Sequence, residues 1–203
     1  MSLKAKLGEM LAPVFRKRED VLLCKELKAE PGQTSSGRLE VVPVRPEHLK
    51  ALVQFIHEHH GDVKRSLRML DDCFRNRYEG RVAFLGGQVI GYRWWVTHTM
   101  NHPQLKLYHL TLREDEVYAF GLYIARAFRA HGYATEFLAI TQQQLVDLGY
   151  KRLYNAVGAS NVPARRLYES FGSKELGLHV SVSFFSLAAC CGGRWLRYDP
   201  VWM

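Results

Sequence analysis

Hydrophobic and polar residues alternate along 38–45, so this segment reads as a strand. Pro46 then opens a helix running to about His59, with Leu49, Leu52, Val53 and Ile56 on one face. A second helix is predicted over 63–77. Strands at 81–85 and 88–97 flank Gly86-Gly87, which is a hairpin signal. Two more strands, 105–112 and 116–124, flank the charged turn Arg113-Glu114-Asp115. The period becomes helical from about Gly132 to Leu148, and Gly149 closes that helix. A short strand at 152–157 precedes a helix at 163–171, closed by Gly172. The tail is strand-rich over 176–189 and 194–198. Strands and helices thus alternate in an α/β layout with a mixed sheet.

The first residues have a different pattern. Leu3, Leu7, Met10, Leu11, Val14 and Phe15 recur at helical spacing, so residues 1–28 are predicted as an amphipathic helix kinked at Pro13. Residues 31–37, Pro-Gly-Gln-Thr-Ser-Ser-Gly, read as a linker. The expected organisation is an arm and linker over 1–37 and one domain over 38–203. The preferred reading of the arm is packing on the domain or on a second subunit, which leaves a homodimer open. The other reading is contact with a membrane surface through residues 1–30, helped by Arg16, Lys17 and Arg18.

Composition narrows the class. The 203 residues are 47% hydrophobic and 24% charged, which excludes disorder and coiled coil. No apolar run is long enough to span a membrane as a helix, and no signal-peptide core is present, so the expected location is cytoplasmic. Cys24, Cys73, Cys190 and Cys191 lack metal-ligand spacing and read as reduced thiols; no metal is expected. The net charge of +8 suits a phosphate-bearing ligand, nucleic acid or anionic membrane alike. No basic block resembles a nucleic-acid tail, so no nucleic acid is expected as a partner.

The chemistry concentrates after the strand that ends at Ile124. A basic loop with Arg126 and Arg129 leads to Gly132 and Ala134, which open the next helix. A helix N-terminus offers unpaired N–H donors and partial positive charge, so this junction suits a phosphate or pyrophosphate. Both GxxxxGK[ST] and GxGxxG are absent. About 30 residues on, Asn161 stands at a capping position, and Ala164, Leu167, Tyr168 and Phe171 share a helical face.

Together the two stretches resemble the GNAT family, the GCN5-related N-acetyltransferases. Arg129-Ala130-His131-Gly132-Tyr133-Ala134 fits its acetyl-CoA loop, [QR]-x-x-G-x-[GA], and residues 161–172 fit N-x-x-A-x-x-L-Y-E-x-x-G. The resemblance covers about 38–190. Many members have Pro where Arg126 stands and Gly where Ala130 stands, and an aromatic residue often occupies the position of Ser173. The resemblance implies an α/β fold of the α+β type. Its sheet is mixed, mostly antiparallel and twisted, splayed at the central parallel strands and flanked by helices.

It also implies acetyl-CoA as acyl donor and an amine acceptor. Backbone N–H groups of residues 129–134 would hold the pyrophosphate, the strand end at Leu122 and Ile124 would pair with the pantetheine arm, and Asn161 would bond the pantetheine or hold the loop. Tyr168 matches the position whose hydroxyl serves the departing thiolate. Glu116, on the strand leading to the loop, resembles the base of the histone-acetyltransferase branch. His98, His102 and His109 are further candidates for lining the acceptor site. His57-Glu58-His59-His60 lacks metal spacing and reads as a helix end, and Trp94-Trp95 as core and sheet surface. The preferred acceptor is a primary amine of a small molecule, such as an amino sugar or amino-acid derivative. The alternatives are a protein or peptide amine, or a non-catalytic acyl-CoA-binding module.

Overall fold

A computed structural model describes residues 15–28, 37–184, 187–190 and 196–197. The chain divides into two compact units. The larger comprises 24–100 and 112–155; the smaller comprises 1–23, 101–111 and 156–203.

In the larger unit, β2 (Glu40–Pro43), β3 (Glu79–Leu85), β4 (Gln88–Thr97), β5 (Glu116–Ile124) and the start of β6 (Arg152–Gly158) adjoin in that order. The β2–β3, β3–β4 and β4–β5 pairs are antiparallel, and β5–β6 is parallel. A 3-10 turn at Pro46–His48 leads into α1 (Leu49–His59), followed by α2 (Val63–Arg75). These helices cover the sheet face that carries Tyr92 and Trp94: Phe55 of α1 lies 6.0 Å from Tyr92, and Phe74 of α2 lies 5.9 Å from Trp94.

α4 (Tyr133–Asp147) covers the opposite face, α3 being the short helix of the smaller unit given below. It buries Phe137 against Leu39, Ala83, Ile90 and Ile124, and Leu145 against Trp95, Val117, Ala119 and Leu153. Each such side chain contributes roughly 1.5–3 kcal/mol by leaving water. Trp94 and Trp95 are both buried, as core residues should be.

In the smaller unit β1 (Phe15–Glu26, its last residues reaching the larger unit), β7 (Lys174–Phe184), β8 (Leu187–Cys190) and β9 (Leu196–Arg197) follow in that order, with β7–β8 and β8–β9 antiparallel. α3 (Pro103–Leu107) and α5 (Val162–Ser170) belong to this unit.

Two expectations are corrected. Residues 15–26 are a strand, not part of a helix over 1–28; residues 1–14 and most of the linker lie outside the described residues. The run Val21-Leu22-Leu23 is buried on both sides of the strand, so it shows no period-2 signal. The strand expected at 105–112 is instead the short helix α3 and a turn. Pro103 sits in its first turn, and His102 Nδ1 caps it by accepting the Gln104 N–H at 3.2 Å.

Candidate active site

β5 carries the first special feature. Tyr92 pairs with Tyr123 and Trp94 with Phe120, so Gly121 and Leu122 together oppose Arg93. This is a β-bulge, which breaks the ladder and re-aims the strand locally. Met69 and Trp94 line the bulge at Gly121. Parallel pairing with β6 runs from Glu116↔Arg152 to Ala119↔Asn155. β5 continues through Phe120 to Ile124 beyond that register, paired with β4. Leu122 and Ile124, expected to pair with the pantetheine arm, lie on this continuation.

Arg93, behind the bulge, is fully buried; sequence reading gave it no role. Its Nη1 donates to Thr141 Oγ1 of α4 at 3.0 Å and its Nη2 to Asn155 Oδ1 at 2.8 Å. The fork therefore ties the bulged segment, the last parallel rung and α4 together.

After Ile124 the chain makes a 3-10 turn, Arg126–Phe128, and enters α4. Ala130 has φ +63° and Gly132 φ +80°. Both are left-handed, which favours glycine at 132 and costs Ala130 about 1 kcal/mol. That cost falls at the position where the family pattern often has Gly. α4 has no side-chain cap, so the N–H groups of Tyr133, Ala134 and Thr135 have no partner within the helix or from a cap, and the first helical bond is Glu136 N–H to Gly132 O at 3.0 Å.

Arg129 holds the loop by its own bonds. Its N–H donates to Arg126 O at 3.2 Å and its Nε to Ile124 O at 2.9 Å. Its guanidinium lies 5.4 Å from the Tyr123 ring centroid. The Arg129 amide is thus committed to the turn. His131 Nδ1 is 2.7 Å from Arg129 O. This left-handed, uncapped entry to a helix fits a pyrophosphate.

On the α1–α2 face, His60 stacks on Tyr123 with centroids 3.8 Å apart. Its Nδ1 is 2.8 Å from Ser66 Oγ and its Nε2 3.3 Å from Tyr92 Oη. Tyr123 Oη donates to His59 O at 2.5 Å. Burial, then the neighbouring His59 and Arg129, pushes His60 down to about 4, so the ring is neutral at pH 7. The sequence reading took this residue as part of a solvated helix end. No periodic signal marks it, because its partners come from β4, β5 and α2.

Glu116, expected as a base, makes an ion pair that the sequence did not show. It is buried, and Arg152 Nη1 donates to its Oε1 at 2.5 Å. Tyr154 Oη donates to the same oxygen at 3.3 Å, and the Arg113 N–H donates to Oε2 at 3.0 Å. Both oxygens anchor the start of β5, at the opposite end of the strand from the loop. A Glu116→Gln variant should therefore melt at lower temperature, while the acetyl transfer that the resemblance implies keeps its rate in the folded protein. A hundredfold fall in kcat would restore the base assignment.

In the smaller unit, Asn161 Oδ1 accepts the Ala164 N–H at 3.3 Å and caps α5. Tyr168 is buried on α5. His102 is also buried and pushed down to about 3, while His98 and His109 are exposed. His60 and His102 make a pH prediction. Both bind protons less readily folded than unfolded, where the ordinary value is 6.5. Stability should be full above about 6.5 and fall as pH drops from there towards about 4 and 3. Denaturant midpoints at stepped pH measure this, and a midpoint flat from pH 7 to 4 would contradict it.

Among the described residues no cluster of His, Cys, Asp or Glu is arranged to hold a metal ion, and no helix is long and apolar enough to cross a membrane. Residues 47–172 match the acetyltransferase (GNAT) family, and the chain belongs to that family. Over 87 residues, 43% of this chain, it is 34% identical to the uncharacterized N-acetyltransferase YycN of Bacillus subtilis (strain 168). It spans about half, 49%, of that relative's length. Among solved structures, a functionally unknown conserved protein from Staphylococcus epidermidis ATCC 12228 superposes with TM-score 0.62 at 12% identity, covering 89% of this chain and 66% of that one. A GCN5-related N-acetyltransferase from Sphaerobacter thermophilus superposes with TM-score 0.59 at 16% identity, covering 89% and 56%. These two likenesses show the GNAT fold.

Proposed function

We propose that the protein transfers the acetyl group of acetyl-CoA to a primary amine. The observation that carries this reading is the left-handed, uncapped entry to α4 directly after the bulged end of β5. Acetyl-CoA would supply an activated thioester. The N–H groups of Ala130, His131, Gly132, Tyr133 and Ala134 would hold its pyrophosphate, and the segment Leu122–Ile124 its pantetheine arm. Arg129 shapes the loop through Ile124 O and Arg126 O.

Attack on a thioester needs a neutral amine and a proton for the leaving thiolate. In this reading Tyr168 supplies that proton, an assignment that rests on the motif. The attacking amine's proton leaves to water in this reading. Both Glu116 oxygens are taken by Arg152, Tyr154 and the Arg113 N–H. His60, pushed down to about 4 with its ring nitrogens beside Ser66 and Tyr92, is too weak an acceptor. Asn161 serves by fixing the start of α5.

The preferred acceptor is a small-molecule amine, of the amino-sugar or amino-acid kind. Residues 57–77 around α2 carry five Lys/Arg and four Asp/Glu, which offers no acidic surface for a polycationic peptide. The test is CoA release from acetyl-CoA with small amines in parallel with lysine-containing and free-N-terminus peptides. Release with small amines alone is expected. Release with peptides alone would move the acceptor to the protein class, and none with any amine would favour a binding module.

A further inference from the structure

Arg38 lies outside the family-matched residues 47–172, yet it packs against the loop assigned to the donor's pyrophosphate. Its Nη1 donates to His131 O at 3.4 Å, and its guanidinium carbon lies 4.8 Å from the Tyr133 ring centroid. Its Nη2 is 3.5 Å from where a Cβ on Gly132 would stand.

The reason for an arginine there is Glu136. This carboxylate sits in the first turn of α4, is almost fully buried, and so places negative charge at the end of the helix that should attract an anion. Arg38 removes the conflict. Its Nε donates to Glu136 Oε2 at 3.1 Å and its N–H to Oε1 at 3.0 Å, and the Leu39 N–H donates to Oε1 at 3.2 Å. The carboxylate is turned towards the chain at 38–39 and carries a matched positive charge.

We infer that Arg38 is a positioning residue for the pyrophosphate site: it neutralises Glu136, turns it aside and supports the loop through His131 and Tyr133. This inference rests on the proposed function, which supplies the anion and its site. The segment before the family-matched region is thereby part of the donor site.

The test is calorimetric titration of the full chain with acetyl-CoA and, separately, with inorganic pyrophosphate. Arg38→Ala should weaken binding about tenfold or more, since it strips a buried carboxylate of its counter-charge within one turn of the phosphates and leaves it only the N–H groups of residues 38 and 39. Arg38→Lys should recover most of the affinity. The double variant Arg38→Ala/Glu136→Gln should also bind more tightly than Arg38→Ala alone. A merely structural role predicts no such recovery, because the double variant loses still more bonds.

Unchanged binding by Arg38→Ala would overturn the inference, as would equal weakening in the single and double variants. If wild type binds pyrophosphate but not acetyl-CoA, the proposed function falls and the pyrophosphate series decides the role of Arg38. If wild type binds neither, the anion site and the inference fall together.

Discussion

Gly91→Ala should destabilise the protein by about 3 kcal/mol and weaken acetyl-CoA binding together. A Cβ on Gly91 would stand 2.4 Å from Tyr123 O and 2.5 Å from Ile124 Cδ1. The first atom belongs to backbone, so rotamer change cannot relieve it. β4 and β5 must move apart where Gly91 pairs with Ile124, immediately before the loop at 125–132. Ile124 O also accepts from Arg129 Nε, so the displacement reaches the residue that shapes the loop. Denaturant unfolding and acetyl-CoA titration of the same variant measure both effects. Wild-type stability would show that the strand pair has slack that its register denies.

Tyr168→Phe should lower kcat about a hundredfold, the scale of a lost general acid, and leave acetyl-CoA affinity and melting temperature unchanged. The ring is buried on α5 and is preserved in Phe, so packing with its neighbours survives. The predicted loss lies in kcat because, in the proposed reading, the hydroxyl gives its proton to the departing thiolate. Unchanged kcat would remove Tyr168 from the chemistry.

The loop and the helix before Tyr168 could be read from sequence because their signals are local. Arg129, Gly132 and Ala134 stand at fixed offsets at a strand-to-helix junction, and Gly132 does adopt the left-handed backbone that only glycine takes freely. The hairpin of β3 and β4 was equally local, fixed by Gly86-Gly87 between two alternating runs. β5, at 116–124, kept its expected bounds.

What was missed depends on distant partners. β1 is buried on both faces, so helical spacing in the residues before it was carried across a strand that shows no alternation. α3 turns on a histidine cap and a proline, which outweighed the apolar residues that suggested a strand. Glu116 is the base that the family resemblance implies from its distance to Arg129 along the chain, and its ion pair was not legible there. Its actual partner, Arg152, is 36 residues away in sequence and adjacent only through the parallel pairing of β5 and β6. Arg38, Arg93 and His60 were invisible for the same reason: each acts through residues that only the sheet brings near.

The most direct measurement of the central claim is mass spectrometry of an amine incubated with acetyl-CoA labelled in its acetyl group. The account predicts the label on the amine nitrogen, in step with free CoA, and labelling about a hundredfold slower when Tyr168 is changed to Phe. Saturable acetyl-CoA binding with no labelled amine from any acceptor, or CoA release independent of amine, would contradict it.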